Sequence, residues 1–527
     1  MTKSRNRSVL QGALILSFAG LLSKIISAGY RVPLQNLTGD LGFYIYQQVY
    51  PILGMALILS LYGFPAAISK LVSELEENRN PLSIPSFYFP VFFWLMGASG
   101  LIFLLGYTQA PGIAEIMGDE KLVPSIKASF FAFLMVPFVS LFRGVFQGKN
   151  HMAPTAVSQI VEQIFRVTII ITTSVLVARG QDAYSIGIGA AWGSISGAVG
   201  AALLLGSWLR KSRRVWTWDR WKGTTSYMKT IFFYGVFICL NYMLLLSLQL
   251  VDAFTLVPSL VKTEVGIDSA RLLKGIFDRG QPLIQLGTVL ASSIALALIP
   301  SVTRKRLNND SERVENAILS AVKVTVMIAF GATAGLVFLF PLINEAFFQD
   351  SQGTGPLRML MLVIVGSSIS ITMSSVLQGL DYVKQTALVV LGGLVVKTAG
   401  NLILIPSLGL YGSALASIMA VTFVLVGNVV ILRQEISIRK WLSLPLVPIV
   451  FSTMGMVIGL QILSTFVQLF WFPDHRFTLL IYLLILTGVG AMIYLILLLR
   501  LGGFSNNEVE MLPFHEQFIK LLPKGMK

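Results

Sequence analysis

Lys24, Arg31, Glu162, Arg166, Asp252, Arg279 and Lys397 stand inside, or at the ends of, long apolar runs. An ionised side chain at the centre of a bilayer costs about 3 kcal/mol unless it faces protein or water. Glu162 and Arg166 are four residues apart, so on a helix they share a face and can pair. Ser158 continues that stripe, and Gln159 and Gln163 lie one step round the helix. Asp252 lies late in the seventh apolar run, and Lys397 lies in the eleventh. The excess charge is positive: Lys24, Arg31, Arg166, Arg279 and Lys397. Guanidinium forks suit bidentate contacts with phosphate. The chemistry indicated is the binding of an anion, such as a pyrophosphate, rather than bond breaking, and no catalytic set is visible. The same residues have bland readings. Arg31 and Arg279 are placed to snorkel to an interface, and Glu162–Arg166 also reads as a structural pair between helices.

These side chains need elements to hold them. The chain has 527 residues, 55% hydrophobic and 12% charged, against roughly 25% charged in soluble domains. That composition describes an all-α polytopic membrane protein with no soluble domain. The net charge of +15 sits in short loops between apolar runs. It therefore speaks for orientation and for contact with anionic lipid headgroups, not for nucleic acid. Cys239 is the single cysteine, so no disulfide framework exists, and His151, His475 and His515 are too scattered for a metal cluster. The basic start followed by a long apolar run, without a small-residue cleavage site, reads as a retained first span.

Fourteen spans are expected, at 9–30, 44–64, 86–106, 125–146, 155–178, 186–209, 229–257, 280–300, 318–341, 357–379, 386–406, 409–432, 443–470 and 476–500. Lys and Arg concentrate in the N-terminal tail, alternate loops and the C-terminal tail, including "RKSRRVWTWDRWK" (210–222) and "RKR" (304–306). The positive-inside rule then places both termini in the cytoplasm, which requires an even number of spans. The end of the fourth span and a short cytoplasmic turn hold Arg143 and Lys149, which are read as obeying the positive-inside bias.

An internal repeat organises the spans. "VFQG" at 145–148 matches "VLQG" at 376–379, so Gln147 and Gln378 are 231 positions apart (378 − 147 = 231). The same offset carries Thr155-Ala156 onto Thr386-Ala387, Arg166 onto Lys397 and Pro51 onto Pro282. Each unit is six spans, so both halves have the same topology, a parallel pseudo-twofold repeat about the membrane normal. The expected division is an N-terminal six-helix lobe at 1–209, a basic cytoplasmic linker at 210–228 and a C-terminal six-helix lobe at 229–440. Two extra transmembrane helices at 441–500 and a cytoplasmic tail at 501–527 complete it. Two such bundles suit alternating access around a midplane site. No filter motif argues for a channel, and no P-loop motif supplies an ATPase. Energy would come from an ion gradient (Na+ or H+), the membrane potential or the substrate gradient.

"GVFQGKNHMAPTAVSQIVEQIFRV" (144–167) resembles the signature of polysaccharide-biosynthesis flippases of the stage V sporulation protein B type. They belong to the multidrug/oligosaccharidyl-lipid/polysaccharide (MOP) exporter superfamily, with the lipid II flippase MurJ and the MATE drug exporters. The resemblance covers roughly 8–440. "SKIISAGYRVPL" (23–34) is similar to a first-span pattern of the MurJ branch, with Lys24 in an arginine position and Arg31 one residue off a second. "FDRGQPL" (277–283) is similar to an eighth-span pattern, with Arg279 in place of a cavity arginine. After Pro51 this chain reads "ILGMALI", where that branch has consecutive arginines.

The resemblance implies a flippase that moves an undecaprenyl-pyrophosphate-linked oligosaccharide or peptidoglycan precursor across the cytoplasmic membrane. The substrate cavity would use Lys24, Arg31, Glu162, Arg166 and Arg279. It also implies a sodium site between the seventh and eleventh spans, with Asp252 and Asn401 as ligands, for which the Lys397 ammonium competes. No cofactor is expected, and the partners are the lipid-linked sugar and membrane lipids, with the protein a monomer. A MATE-like cation antiporter is the alternative, against which the basic excess counts. A membrane glycosyltransferase is a third reading. The exterior loop at 258–279 has Glu264 and Asp268 but no histidine, which counts against it.

Overall fold

The computed structural model describes residues 2–77, 82–210, 224–307, 311–436, 444–470 and 475–504. Most of the linker 210–228 and of the tail 501–527 lies outside them, as do the side chains of 304–306. The described chain is helical. In order, its helices are α1 (Thr2–Gly29), α2 (Arg31–Ile58), α3 (Phe64–Glu77), α4 (Phe89–Thr108), α5 (Ala110–Ile116), α6 (Val123–Phe130), α7 (Val136–Gly148), α8 (Met152–Ala178), α9 (Ser185–Arg210), α10 (Thr224–Tyr242), α11 (Leu244–Val261), α12 (Ile267–Asp278) and α13 (Gly280–Leu307). They continue as α14 (Ser311–Phe348), α15 (Thr354–Met361), α16 (Val363–Gly379), α17 (Val383–Leu408), α18 (Leu410–Leu432), α19 (Leu446–Phe470) and α20 (Arg476–Arg500).

Among the described residues, 12 helical segments are long and apolar enough to cross a bilayer. The first, Phe18–Glu77, is 60 residues long and holds the later part of the first expected span and all of the second. The eighth, 280–300, coincides with the start of α13. Fourteen is thus an approximate count, while the polytopic all-α class holds. Several expected single spans are broken. The fourth divides at a tight turn, Phe131–Met135, because α7 opens on Pro137, whose ring suits a first turn but not a helix interior. The seventh, expected as one helix over 229–257, divides at Met243. Two residues earlier, Asn241 Nδ2 donates to the carbonyls of Phe237 and Val383, an alternative to regular backbone bonding. Gly39 interrupts α2 at φ 68°, a conformation only glycine adopts cheaply.

The chain packs as two compact units. The first comprises Met1–Leu286 and Leu377–Asn428. Within it, α9 lies against α8 through Gly189, Gly193 and Gly197, small residues at four-residue spacing that let the backbones approach. A Cβ on Gly193 would sit 3.0 Å from the Arg166 carbonyl, and one on Gly197 2.5 Å from that of Glu162. Gly144 and Gly148 do the same for α7 on α3, against Ile68 and Val72. The polar stripe of α8 is therefore held by backbone contact. Gly197→Ala must push α9 off Glu162 and should cost about 1–3 kcal/mol, read as a lower unfolding midpoint in detergent.

The second unit comprises Gly287–Val376 and Val429–Lys527. The last two spans dock on α14. Tyr494 of α20 donates to the Met327 carbonyl at 2.6 Å, and Gly331 leaves room for its ring. Arg476 caps the end of α14 through the Ala346 and Phe347 carbonyls, at 2.9 and 3.0 Å. Buried hydroxyls join its spans: Thr288 with Ser367 at 2.9 Å and Thr325 with Thr372 at 3.0 Å.

Candidate functional site

The expected pair on α8 is one side of a triad. Glu162 Oε1 accepts from Arg166 at 2.7 Å, and Oε2 accepts from Arg143 of α7 at 2.9 Å. Arg143 is fully buried and also donates to Ser158 Oγ at 3.0 Å and to the Ser60 carbonyl at 3.4 Å. This corrects the reading of Arg143 as a positive-inside charge at the end of the fourth span, since α7 turns this residue inward. Two guanidiniums share one carboxylate, leaving a net positive charge inside the protein. Arg166 Nε is buried with no hydrogen-bond partner.

Arg31 is more exceptional. It is fully buried, and none of its three guanidinium nitrogens has a hydrogen-bond partner. Aromatic faces hold it instead: Tyr50 at 4.2 Å and Tyr46 at 5.9 Å from ring centroid to guanidinium carbon. Tyr46 is fixed by a hydroxyl–hydroxyl bond to Tyr30. A small cavity lined by Tyr46, Tyr50, Gly54, Arg166 and Ser194 opens on this cage. A second one beside it is lined by Glu162, Arg166 and Ser194. Each has room for about one water. Lys24 does not join the group. It is exposed on α1 and makes no ion pair among the described residues.

Arg279, also fully buried, grips Asp40 of α2 bidentately, Nε to Oδ1 at 2.8 Å and Nη2 to Oδ2 at 2.6 Å. Gln35 adds a 3.0 Å bond to Asp40, and only the bare Cα of Gly275 fits against the Asp40 backbone. Next to it, Lys274 and Asp278 form a buried pair along α12. At the other end of that helix, Arg271 reaches Asp119 at 3.1 Å and the Gly118 carbonyl at 3.2 Å. Tyr184 donates to the second Asp119 oxygen at 2.8 Å. Burial, and then that bond, raise the Tyr184 phenol above its ordinary range, so it remains a donor. Asp40, Arg143 and Arg271 were missed in the sequence. Arg143 was legible, since it lies inside the expected fourth span. Asp40 and Arg271 sit in polar neighbourhoods where nothing marks them.

Asp252, Lys397 and Asn401 do meet. Lys397 Nζ lies 2.7 Å from Asp252 Oδ1, 2.9 Å from the Ser413 carbonyl, 3.0 Å from Ser413 Oγ and 2.7 Å from Ser417 Oγ. Asn401 Nδ2 donates to Asp252 Oδ1 at 2.8 Å and to Thr255 Oγ1 at 2.7 Å. That orientation is forced: a carboxylate only accepts, and the Thr255 hydroxyl already donates to the Val251 carbonyl. The residues therefore do not fit a sodium ion. The ammonium occupies the space between the oxygens, and Asn401 turns its acceptor away, leaving Oδ1 without a partner.

What these networks can do is bind an anion. Every carboxylate buried among the described residues carries a basic partner: Asp119 with Arg271, Glu162 with two arginines, Asp252 with Lys397 and Asp278 with Lys274. None is left to attract an organic cation.

Known proteins agree with this architecture. The polysaccharide biosynthesis protein family matches residues 9–306. The uncharacterized membrane protein YabM of Bacillus subtilis is 38% identical over 525 residues, covering 98% of this chain and 96% of that protein. The lipid II flippase MurJ of the same organism is 25% identical, covering 94% and 95%. Among solved structures, a lipid II flippase MurJ in an inward closed conformation superposes with a TM-score of 0.65 at 16% identity, covering 92% of this chain and 98% of that one. An inward-facing MATE multidrug transporter of the MOP superfamily gives 0.64 at 15%, covering 78% and 94%. With more than half its length matched and this fold, the chain belongs to the polysaccharide biosynthesis protein family, membrane flippases and exporters of the MOP superfamily.

Proposed function

We propose that this chain flips an undecaprenyl-pyrophosphate-linked oligosaccharide or peptidoglycan precursor across the cytoplasmic membrane by alternating access. The observation that carries the reading is the surplus of buried positive charge. Arg31 is unpaired, and Arg143 and Arg166 divide one carboxylate. A pyrophosphate is the doubly charged, oxygen-rich ligand that such guanidiniums match. Arg31, Arg166 and Arg279 supply the buried charge, Glu162 orients Arg166, and Lys24, exposed on α1, would meet the pyrophosphate from outside that group. Arg279 presents a planar fork now filled by Asp40, and Asp40 and a pyrophosphate would compete for it.

The lobes are 1–209 and 229–440, with both termini cytoplasmic on the strength of the basic loops. The spans at 441–500 enlarge the surface available to a long lipid tail. Asp252, Lys397 and Asn401 form a charge pair that ties α11 to α17. The MATE-like reading needs an acidic site, and each carboxylate buried among the described residues is already neutralised. The protein acts as a monomer and performs no bond chemistry. The similarity to the lipid II flippase MurJ of Bacillus subtilis supports the substrate class.

Three measurements test the reading. Expression in a strain depleted of its lipid II flippase should restore growth if the cargo is a wall precursor. Reconstituted vesicles with defined lipid-linked sugars should show protein-dependent flipping, lost in Arg279→Ala while insertion stays normal. Flipping at the wild-type rate in Arg279→Ala and Lys24→Ala would remove both from the site. Sensitivity to cationic dyes without a wall defect, in cells lacking the protein, would move the assignment to a drug antiporter.

A further inference from the structure

Two helices bring oxygen atoms together beside Asp252 in the manner of a binding shell for a monovalent metal ion. The shell contains Asp252 Oδ1 from α11, with the Ser413 carbonyl, Ser413 Oγ and Ser417 Oγ from α18. Asn401 of α17 and Thr255 of α11 stand behind it. Such a shell exists to hold one positive charge in a buried place. Here that charge is covalent. Lys397 is completely buried, and its ammonium directs three protons at four oxygens: Asp252 Oδ1, the Ser413 carbonyl, Ser413 Oγ and Ser417 Oγ. The Ser413 hydroxyl spends its own proton on Asp252 at 2.9 Å. Asp252 and Lys397 are formally neutral together, so a metal ion entering this shell would add an uncompensated buried charge, which is strongly unfavourable.

We propose that Lys397 is a built-in substitute for a bound sodium ion, so that this protein folds and works without sodium. A dissociable ion can leave during a transport cycle and release the helices it joins. An ammonium tethered to α17 cannot leave. The joint between α11, α17 and α18 is then permanent, and the conformational change must take place elsewhere. The inference concerns this shell alone and does not depend on the cargo proposed above.

The test uses the purified full-length protein and sodium chloride, potassium chloride and choline chloride at equal ionic strength. The wild-type thermal unfolding midpoint should be the same in all three. Lys397→Ala, purified in sodium chloride, should leave a gap ringed by oxygens. Its midpoint should rise with the logarithm of sodium concentration, as linkage requires of a site filled only in the folded state. Lys397→Ala with Asp252→Asn should lose that response. Lys397→Ser serves as a second, smaller polar replacement if the alanine variant accumulates poorly. A sodium-dependent rise in the wild type would overturn the proposal. So would the absence of any sodium response in both Lys397 variants, because the shell would then not be a cation site.

Discussion

Glu162→Gln should lower the unfolding midpoint more than any other single change on the polar face of α8. The carboxylate neutralises Arg143 and Arg166 at once, and both guanidiniums are at least nine-tenths buried. Removing one partner of a buried ion pair typically costs about 3–5 kcal/mol, because the other charge is left without compensation. Here two charges are left. The glutamine oxygen still accepts a hydrogen bond, so the loss reports charge rather than shape. In an Arg143→Met background the same change should cost less, since one cation has gone. That non-additivity is the signature of a shared partner. Equal costs in the two backgrounds would show that the triad does not act as a unit. Midpoints in one detergent, with the amount of protein inserted in membranes as a second readout, check this.

Arg31→Met should behave in the opposite way. Arg31 has no hydrogen bond to lose, only the faces of Tyr46 and Tyr50, and methionine packs on the same rings. Replacing a desolvated, unpaired charge by an apolar side chain of similar length should leave the midpoint unchanged or raise it. If Arg31 binds the pyrophosphate, flipping should fall at the same time. One charge-assisted hydrogen bond is worth about 1.5–3 kcal/mol, which is roughly a ten- to hundredfold loss of rate. Stability kept and transport lost is the expected pair of results. Stability lost with transport kept per folded molecule would make the cage a structural device. Arg31→Lys should rescue only partly, because an ammonium lacks the planar fork.

The membrane class, the number of spans to within one or two, and the stripe of Ser158, Glu162 and Arg166 were all legible in the linear sequence. Each rests on local composition or on helical periodicity, which neighbours along the chain determine. The α9 glycines at 189, 193 and 197 carry a close-packing signal of the same local kind. Partner choice is a different matter. Asp40 and Arg279 are 239 positions apart and Asp252 and Asn401 are 149 apart, and no periodicity links them. Arg143 shows the boundary between the two. Its position near the end of a span fits the positive-inside rule, yet on α7 its side chain turns inward and becomes a buried partner of Glu162.

By itself, then, the sequence determined which groups would have to be hidden from lipid, because the cost of an exposed charge in hydrocarbon depends only on residue type and depth. Only the tertiary structure decided how each charge is answered. Glu162 took two arginines, Asp40 took Arg279, Asp252 took Lys397, and Arg31 took only aromatic faces. Those outcomes depend on distances of a few ångströms between helices brought together by close packing and by breaks at Gly39, Pro137 and Met243. Coulombic and hydrogen-bond energies change over that range by as much as the fold's whole margin of stability.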